Sequence, residues 1–188
     1  MVTTTGLILA GGAGRRTGGR DKGLIPWSGK PLVEHVAERL RPQVDCLLVS
    51  CNRNFEQYAT ISGATIADSR RDFQGPLAGL EAAAPHIHTD FVVVSACDTP
   101  LLPEDMVQRL LEPLVNRGAG VFDISFAHDG QREQYLCAAL RTTCLAGLPG
   151  YLDEGQRAVR HWYQGQRCIA VDFSDERESF RNYNCLDE

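Results

Sequence analysis

Lysine is nearly missing from this 188-residue chain: of its 19 basic residues only Lys22 and Lys30 are lysines, and both lie in or just after one glycine-rich segment. Long apolar runs are absent too, none approaching the ~18–20 residues that span a bilayer, so a membrane protein is not expected. No basic excess exists. A net charge of −5 offers no general field for nucleic acid, so any anionic ligand must be attracted locally. The seven cysteines, at 46, 51, 97, 137, 144, 168 and 185, contain no C-x-x-C pair and are odd in number. That suggests neither a zinc site nor a disulfide framework and leaves buried or incidental thiols. No positively charged segment precedes the first apolar run, so we expect a cytoplasmic address. Repeats and low-complexity linkers are also lacking, and the length suits one domain, 1–188.

What is present concentrates near the N-terminus. The segment Leu9 to Gly23, after the apolar Gly6-Leu7-Ile8, holds six of the 18 glycines, three arginines and Lys22. Such a loop lets main-chain amides approach a phosphate without an intervening Cβ. Two phosphate motifs fail against it. Thr17 stands where the third glycine of G-x-G-x-x-G belongs, and the Walker candidate from Gly23 to Gly29-Lys30 is one residue too long and runs into Pro31.

Strand and helix signals alternate along the chain. Leu7–Ala10, Cys46–Ser50 and Phe91–Ala96 read as strands buried on both faces, with Ala64–Ala67 a further short run. Pro31 is placed to open a helix with Leu32, Val33, Val36, Ala37 and Leu40 on one face, and Pro76 and Pro103 to open two more. The stripe Met106, Val107, Leu110, Leu111, Leu114 and Val115 should cover the sheet. His128-Asp129-Gly130-Gln131 predicts a hairpin turn between Val121–Ala127 and Tyr135–Leu140, which makes the later sheet mixed. We therefore expect a three-layer α/β/α domain with a mostly parallel sheet, whose ligands gather at the carboxyl ends of the strands. The glycine loop, Asn52, Asp68 and Asp98 each follow one of those strands.

Asp98 after Val92-Val93-Val94 is the expected metal ligand, because Mg²⁺ is held through one or two carboxylates while phosphates and water fill its other positions. His86-x-His88 lies beside Thr89-Asp90 with no third ligand near in sequence, and reads as a solvated connection.

The run L-A-G-G-x-x-x-R-x-G-G-x-D-K-G-L from Leu9 to Leu24 resembles the molybdenum cofactor guanylyltransferases, a branch of the nucleotidyltransferases. Gly29-Lys30-Pro31-Leu32, Cys51-Asn52-Arg53, Ala67-Asp68-Ser69, Gly75-Pro76-Leu77-Ala78-Gly79-Leu80 and Cys97-Asp98-Thr99-Pro100 look like family landmarks in family order. The resemblance implies a Rossmann-like nucleotidyltransferase fold, with a nucleotide-binding N-terminal half and a pterin-binding C-terminal half. It implies that Leu9, Ala10, Gly11 and Gly12 read guanine, that Asn52 and Asp68 contact base and ribose, and that Lys22, Asp98 and Arg16 serve the phosphates. Arg132, Gln134, Asn182 and Asn184 become acceptor candidates.

The implied reaction joins GMP from GTP to the phosphate of molybdopterin, releases pyrophosphate and needs Mg²⁺. Product handover to molybdoenzymes or their chaperones is then transient. An acceptor phosphate with a second pKa near ~6 is already ionised at neutral pH, so no general base is required. Departures from the family pattern are Thr17 for an apolar residue, Tyr135 for proline, and Cys185-Leu186 after the second asparagine. Three alternatives stand beside this reading: a cytidylyltransferase, a sugar-1-phosphate nucleotidyltransferase, and a GTP-binding homologue without transfer activity.

Overall fold

The computed structural model describes residues 2–12, 19–116 and 121–183. Arg16 and Asn184 lie outside the described residues, as do Thr17, Cys185 and Leu186. In chain order the strands and α-helices are β1 (Thr4–Leu9), β2 (Pro26–Trp27), β3 (Lys30–Pro31), α1 (Leu32–Leu40), β4 (Cys46–Ser50), α2 (Phe55–Ser62), β5 (Thr65–Ile66), α3 (Pro76–Ala83), β6 (Phe91–Ala96), α4 (Met106–Val115), β7 (Ile124–His128), β8 (Glu133–Arg141), α5 (Leu148–Asp153), α6 (Val159–Gln164) and β9 (Cys168–Asp172). Seven strands form one sheet in the order β5-β4-β1-β6-β8-β7-β9. β8 pairs antiparallel with both β6 and β7, and every other pairing in this sheet is parallel. The mixed sheet is as expected.

Alternation along the strands sorts the core into two layers. Ile8, Val93 and Ala139 face one cluster with α1, Tyr58 and α4, whereas Leu7, Val92, Val94 and Leu140 face another with α3, α5 and α6. Helices therefore cover both faces, which gives the α/β/α arrangement.

α1 buries the five residues expected of it. The helix expected from Pro103 instead begins at Met106, because Gln43 fixes its start from outside: Gln43 Oε1 accepts the Val107 N–H at 2.9 Å and Gln43 Nε2 donates to the Pro103 carbonyl at 3.0 Å. Its buried stripe is narrower than expected. Leu111 is only half-buried and Val115 is exposed. The third run shrinks to Thr65–Ile66, an edge strand paired with Val49 and Ser50 alone, with Ala64 and Ala67 exposed. The hairpin turn forms where expected, Asp129 Oδ1 accepting the Gln131 and Arg132 N–H groups at 2.9 and 2.8 Å. A register shift between Phe126 and Ala127 re-aims β8 next to that turn, bringing Gln134 opposite Ala127.

Candidate functional site at the carboxyl rim of the sheet

β1, β4, β5 and β6 run in one direction, so their carboxyl ends deliver Ala10, Asn52, Asp68 and Asp98 to a common rim. Main-chain bonds fix the spacing: the Ala10 N–H donates to Ser50 at 2.8 Å, Cys51 to Ile66 at 2.9 Å and Cys97 to Leu9 at 3.2 Å. The last residues before each loop are thus locked to one another.

Side chains continue the lock. Asn52 Nδ2 donates to the Gly11 carbonyl at 3.1 Å and to Asp68 Oδ2 at 2.8 Å, while its Oδ1 accepts the Asp68 N–H at 2.9 Å. Ser50 Oγ adds a donor to Asp68 Oδ1 at 3.3 Å. Asn52 is therefore a brace between three strand ends. A Cβ on Gly11 would come 2.9 Å from Asn52 Nδ2, so only glycine lets the loop lie this close to the amide. Burial pushes the Asp68 carboxyl above its ordinary range, against the lowering effect of the Asn52 and Ser50 donors.

Asp21 forms a second knot beneath the loop. It accepts from Tyr58 Oη at 2.5 Å and Asn54 Nδ2 at 2.9 Å, and pairs with Arg53 Nε at 3.4 Å. Arg53 also donates from Nη1 to the Gly19 carbonyl at 2.8 Å, and its Nη2 is buried with no hydrogen-bond partner among the described residues. Tyr58 is fully buried, and burial pushes its phenol well above the ordinary range. Gly23 is required here as well, since a Cβ would sit 2.5 Å from Tyr58 Oη. Asp21 and Arg53 stand within the family-like runs Leu9–Leu24 and Cys51-Asn52-Arg53, but no role follows from those runs for them or for Asn54 and Tyr58. A further visible signal is Asn54 before a helical stretch that ends at Gly63.

Lys22 opens the 3₁₀ turn Lys22–Leu24 directly after Asp21, and its ammonium forms an ion pair with the Asp98 carboxylate. The two side chains are 26% and 12% accessible, which leaves the pair within reach of a ligand at the rim. Asp98 is flanked by buried thiols. Burial pushes Cys97 and Cys137 up to about 12, so both stay protonated and act as apolar filling. Asp98 does not cap the following helix, because α4 starts only at Met106 with Asp105 before it.

The acceptor candidates divide. Arg132 and Gln134 surround Asp129, with Gln134 Nε2 donating to Asp129 Oδ2 at 2.6 Å and Arg132 Nε forming an ion pair with the same carboxylate at 3.6 Å. Because β8 runs against β6, this turn lies at the same rim as Asp98. Asn182 is exposed and is brought beside Asp98 by its neighbour, whose main-chain N–H donates from Tyr183 to the Asp98 carbonyl at 2.9 Å. His86 and His88 are exposed away from these residues, in the connection between α3 and β6. No group of three or more His, Cys, Asp or Glu side chains gathers as a metal cage among the described residues. Nor is any helix among them long and apolar enough to cross a membrane.

Comparison with known proteins gives the family and the fold. A family model described as MobA-like NTP transferase domain matches residues 6–169. The molybdenum cofactor guanylyltransferase of Shewanella piezotolerans is 38% identical over 183 residues, covering 97% of this chain and 88% of that protein. Among solved structures, molybdopterin-guanine dinucleotide biosynthesis protein A from Archaeoglobus fulgidus superposes with a TM-score of 0.75 at 23% identity, over 97% of this chain and 93% of that one. The 4-diphosphocytidyl-2C-methyl-D-erythritol synthase of Anaerococcus prevotii shares the fold at a TM-score of 0.68 and 10% identity, over 91% and 87%. With a family model spanning most of its length and relatives of this similarity, the chain belongs to the MobA-like NTP transferase domain family.

Proposed function

We propose that this protein transfers GMP from GTP to the phosphate of molybdenum-bearing molybdopterin, forming molybdopterin guanine dinucleotide. The observation that carries the reading is the meeting of Lys22 and Asp98 at the open rim, between a braced glycine loop and a polar hairpin turn. Relatives named as molybdenum cofactor guanylyltransferases support the choice of donor and acceptor.

In this reading an oxygen of the acceptor phosphate attacks the α-phosphorus of GTP, and the bond from that phosphorus to the bridging oxygen breaks. Pyrophosphate leaves with the electron pair. Lys22 holds the triphosphate by charge, and Arg16 adds a second cation. Leu9, Ala10, Gly11 and Gly12 present main chain to guanine, held at a fixed height by Asn52, while Asp68 faces the ribose. Arg53 Nη2, which has no hydrogen-bond partner among the described residues, gives the donor side one more cationic N–H for an anion. Arg132, Gln134, Asn182 and Asn184 receive the acceptor, so the N-terminal half serves the nucleotide and the C-terminal half the pterin.

Asp98 fits a magnesium ion that shares its remaining positions with phosphate oxygens and water, since it supplies one mostly buried carboxylate and no protein cage surrounds it among the described residues. Bound there, the ion would neutralise phosphate charge. The six described cysteines are all free thiols, which suits a reducing cytoplasm.

Incubating the purified protein with molybdopterin, Mg²⁺ and either GTP or CTP, followed by chromatography, tests donor and acceptor together. The guanine dinucleotide from GTP alone is expected. A cytosine product, turnover with a sugar 1-phosphate instead, or no pyrophosphate at all would select one of the three alternatives.

A further inference from the structure

The ribbon of β2 and β3 follows directly on the turn that carries Lys22. Its Trp27 is steadied from α1, where the His35 ring meets the indole edge-on at 4.8 Å and His35 Nε2 lies 2.8 Å from the Trp27 carbonyl oxygen. On the Trp27 ring sits Tyr183, centroid to centroid 4.8 Å at an interplanar angle of 56°. Arg181 adds its guanidinium 5.6 Å from the centre of the Tyr183 ring.

Tyr183 is held a second time, through its main-chain N–H on the Asp98 carbonyl. One residue thus contacts the segment that continues from Lys22 and the residue that pairs with it. These two contacts fix the stretch 181–183 at the rim beside Asp98, and leave Asn182 exposed there. A tryptophan-seated tyrosine adds nothing to the Asn52 brace or to the Asp21 knot. Its effect falls on what approaches Asp98.

We propose that Tyr183, seated on Trp27, is a positioning residue for the acceptor: the aromatic contact holds 181–183 beside Asp98 and so sets where the acceptor phosphate enters. The proposal rests on the guanylyl-transfer reading above. An edge-to-face or tilted ring pair contributes modestly, so the expected effect is up to about tenfold in acceptor use, not loss of the reaction.

Tyr183→Ala, Tyr183→Phe and Trp27→Leu are assayed beside the wild type with GTP and molybdopterin. Tyr183→Ala and Trp27→Leu should raise the acceptor KM roughly tenfold while the GTP KM and melting temperature stay near wild type, and Tyr183→Phe should restore the wild-type value because the ring is kept. The emission of Trp27 should also shift to the red in Tyr183→Ala, over a constant background from Trp162, which is 3% exposed. An unchanged acceptor KM, an unshifted emission, or a GTP KM that rises in parallel would overturn the proposal. A wild type that makes no dinucleotide contradicts guanylyl transfer and removes the proposal with it; wild-type product with unaltered variants contradicts the aromatic seat alone.

Discussion

Around Asp21 and Asp68 the rim's carboxylates are enclosed by neutral or cationic donors from neighbouring segments, whereas among the described residues the Asp98 carboxylate meets one ammonium, that of Lys22. The first two are parts of the frame. Their hydrogen bonds hold the glycine loop, the β4 end and the β5 end at fixed distances, which is the preorganisation that charge stabilisation requires. In the function proposed above, Asp98 and Lys22 are the groups that exchange each other for a ligand. Within one rim, then, the density of internal hydrogen bonds separates support from chemistry.

That contrast predicts unequal costs. Asp98→Asn keeps the shape but removes the charge, and should lower pyrophosphate release by about 10²–10³-fold, on the scale of losing one transition-state electrostatic contact, with an unchanged melting temperature. A fold that melts earlier with turnover intact would reverse the roles assigned to Asp98 and Asp21. Tyr58→Phe acts on the frame. It strips the 2.5 Å bond from Asp21 and should destabilise the protein by about 1–3 kcal/mol in denaturant titration, while turnover at saturating GTP falls severalfold at most.

The smallest effect concerns pH. The Asp68 carboxyl is raised by burial in the folded state, so its contribution to stability is complete at acid pH below its unfolded value and is lost as pH rises through its folded value. Asp68→Asn lacks that loss. Its stability relative to wild type should therefore climb from about pH 4 upward and then level off, read from unfolding midpoints across pH. A relative stability that falls with rising pH would mean that the Asn52 and Ser50 donors outweigh burial.

Much of this was legible in the sequence because its signals are local. Continuous apolar runs marked β1, β4 and β6, and a glycine and an aspartate directly after them had to emerge at the same edge of a parallel sheet. The Asp21 knot was not legible, since its donors Arg53, Asn54 and Tyr58 lie more than thirty residues away and act only once α2 packs beneath the loop. The start of α4 was misplaced for the same reason: Gln43, a distant side chain, decides it in place of Pro103. Leu111 and Val115 illustrate the limit of periodicity, which orients a helix face but does not measure how wide a face the sheet can cover. Nothing in the spacing of Trp27 and Tyr183, at opposite ends of the chain, announced their contact.

The central claim is that Lys22 and Asp98 act as one unit on the triphosphate. A double-mutant cycle on pyrophosphate release, with Lys22→Met, Asp98→Asn and both together, measures that directly. The expected result is a double variant scarcely slower than the worse single one. Fully additive losses in the two singles would contradict the claim.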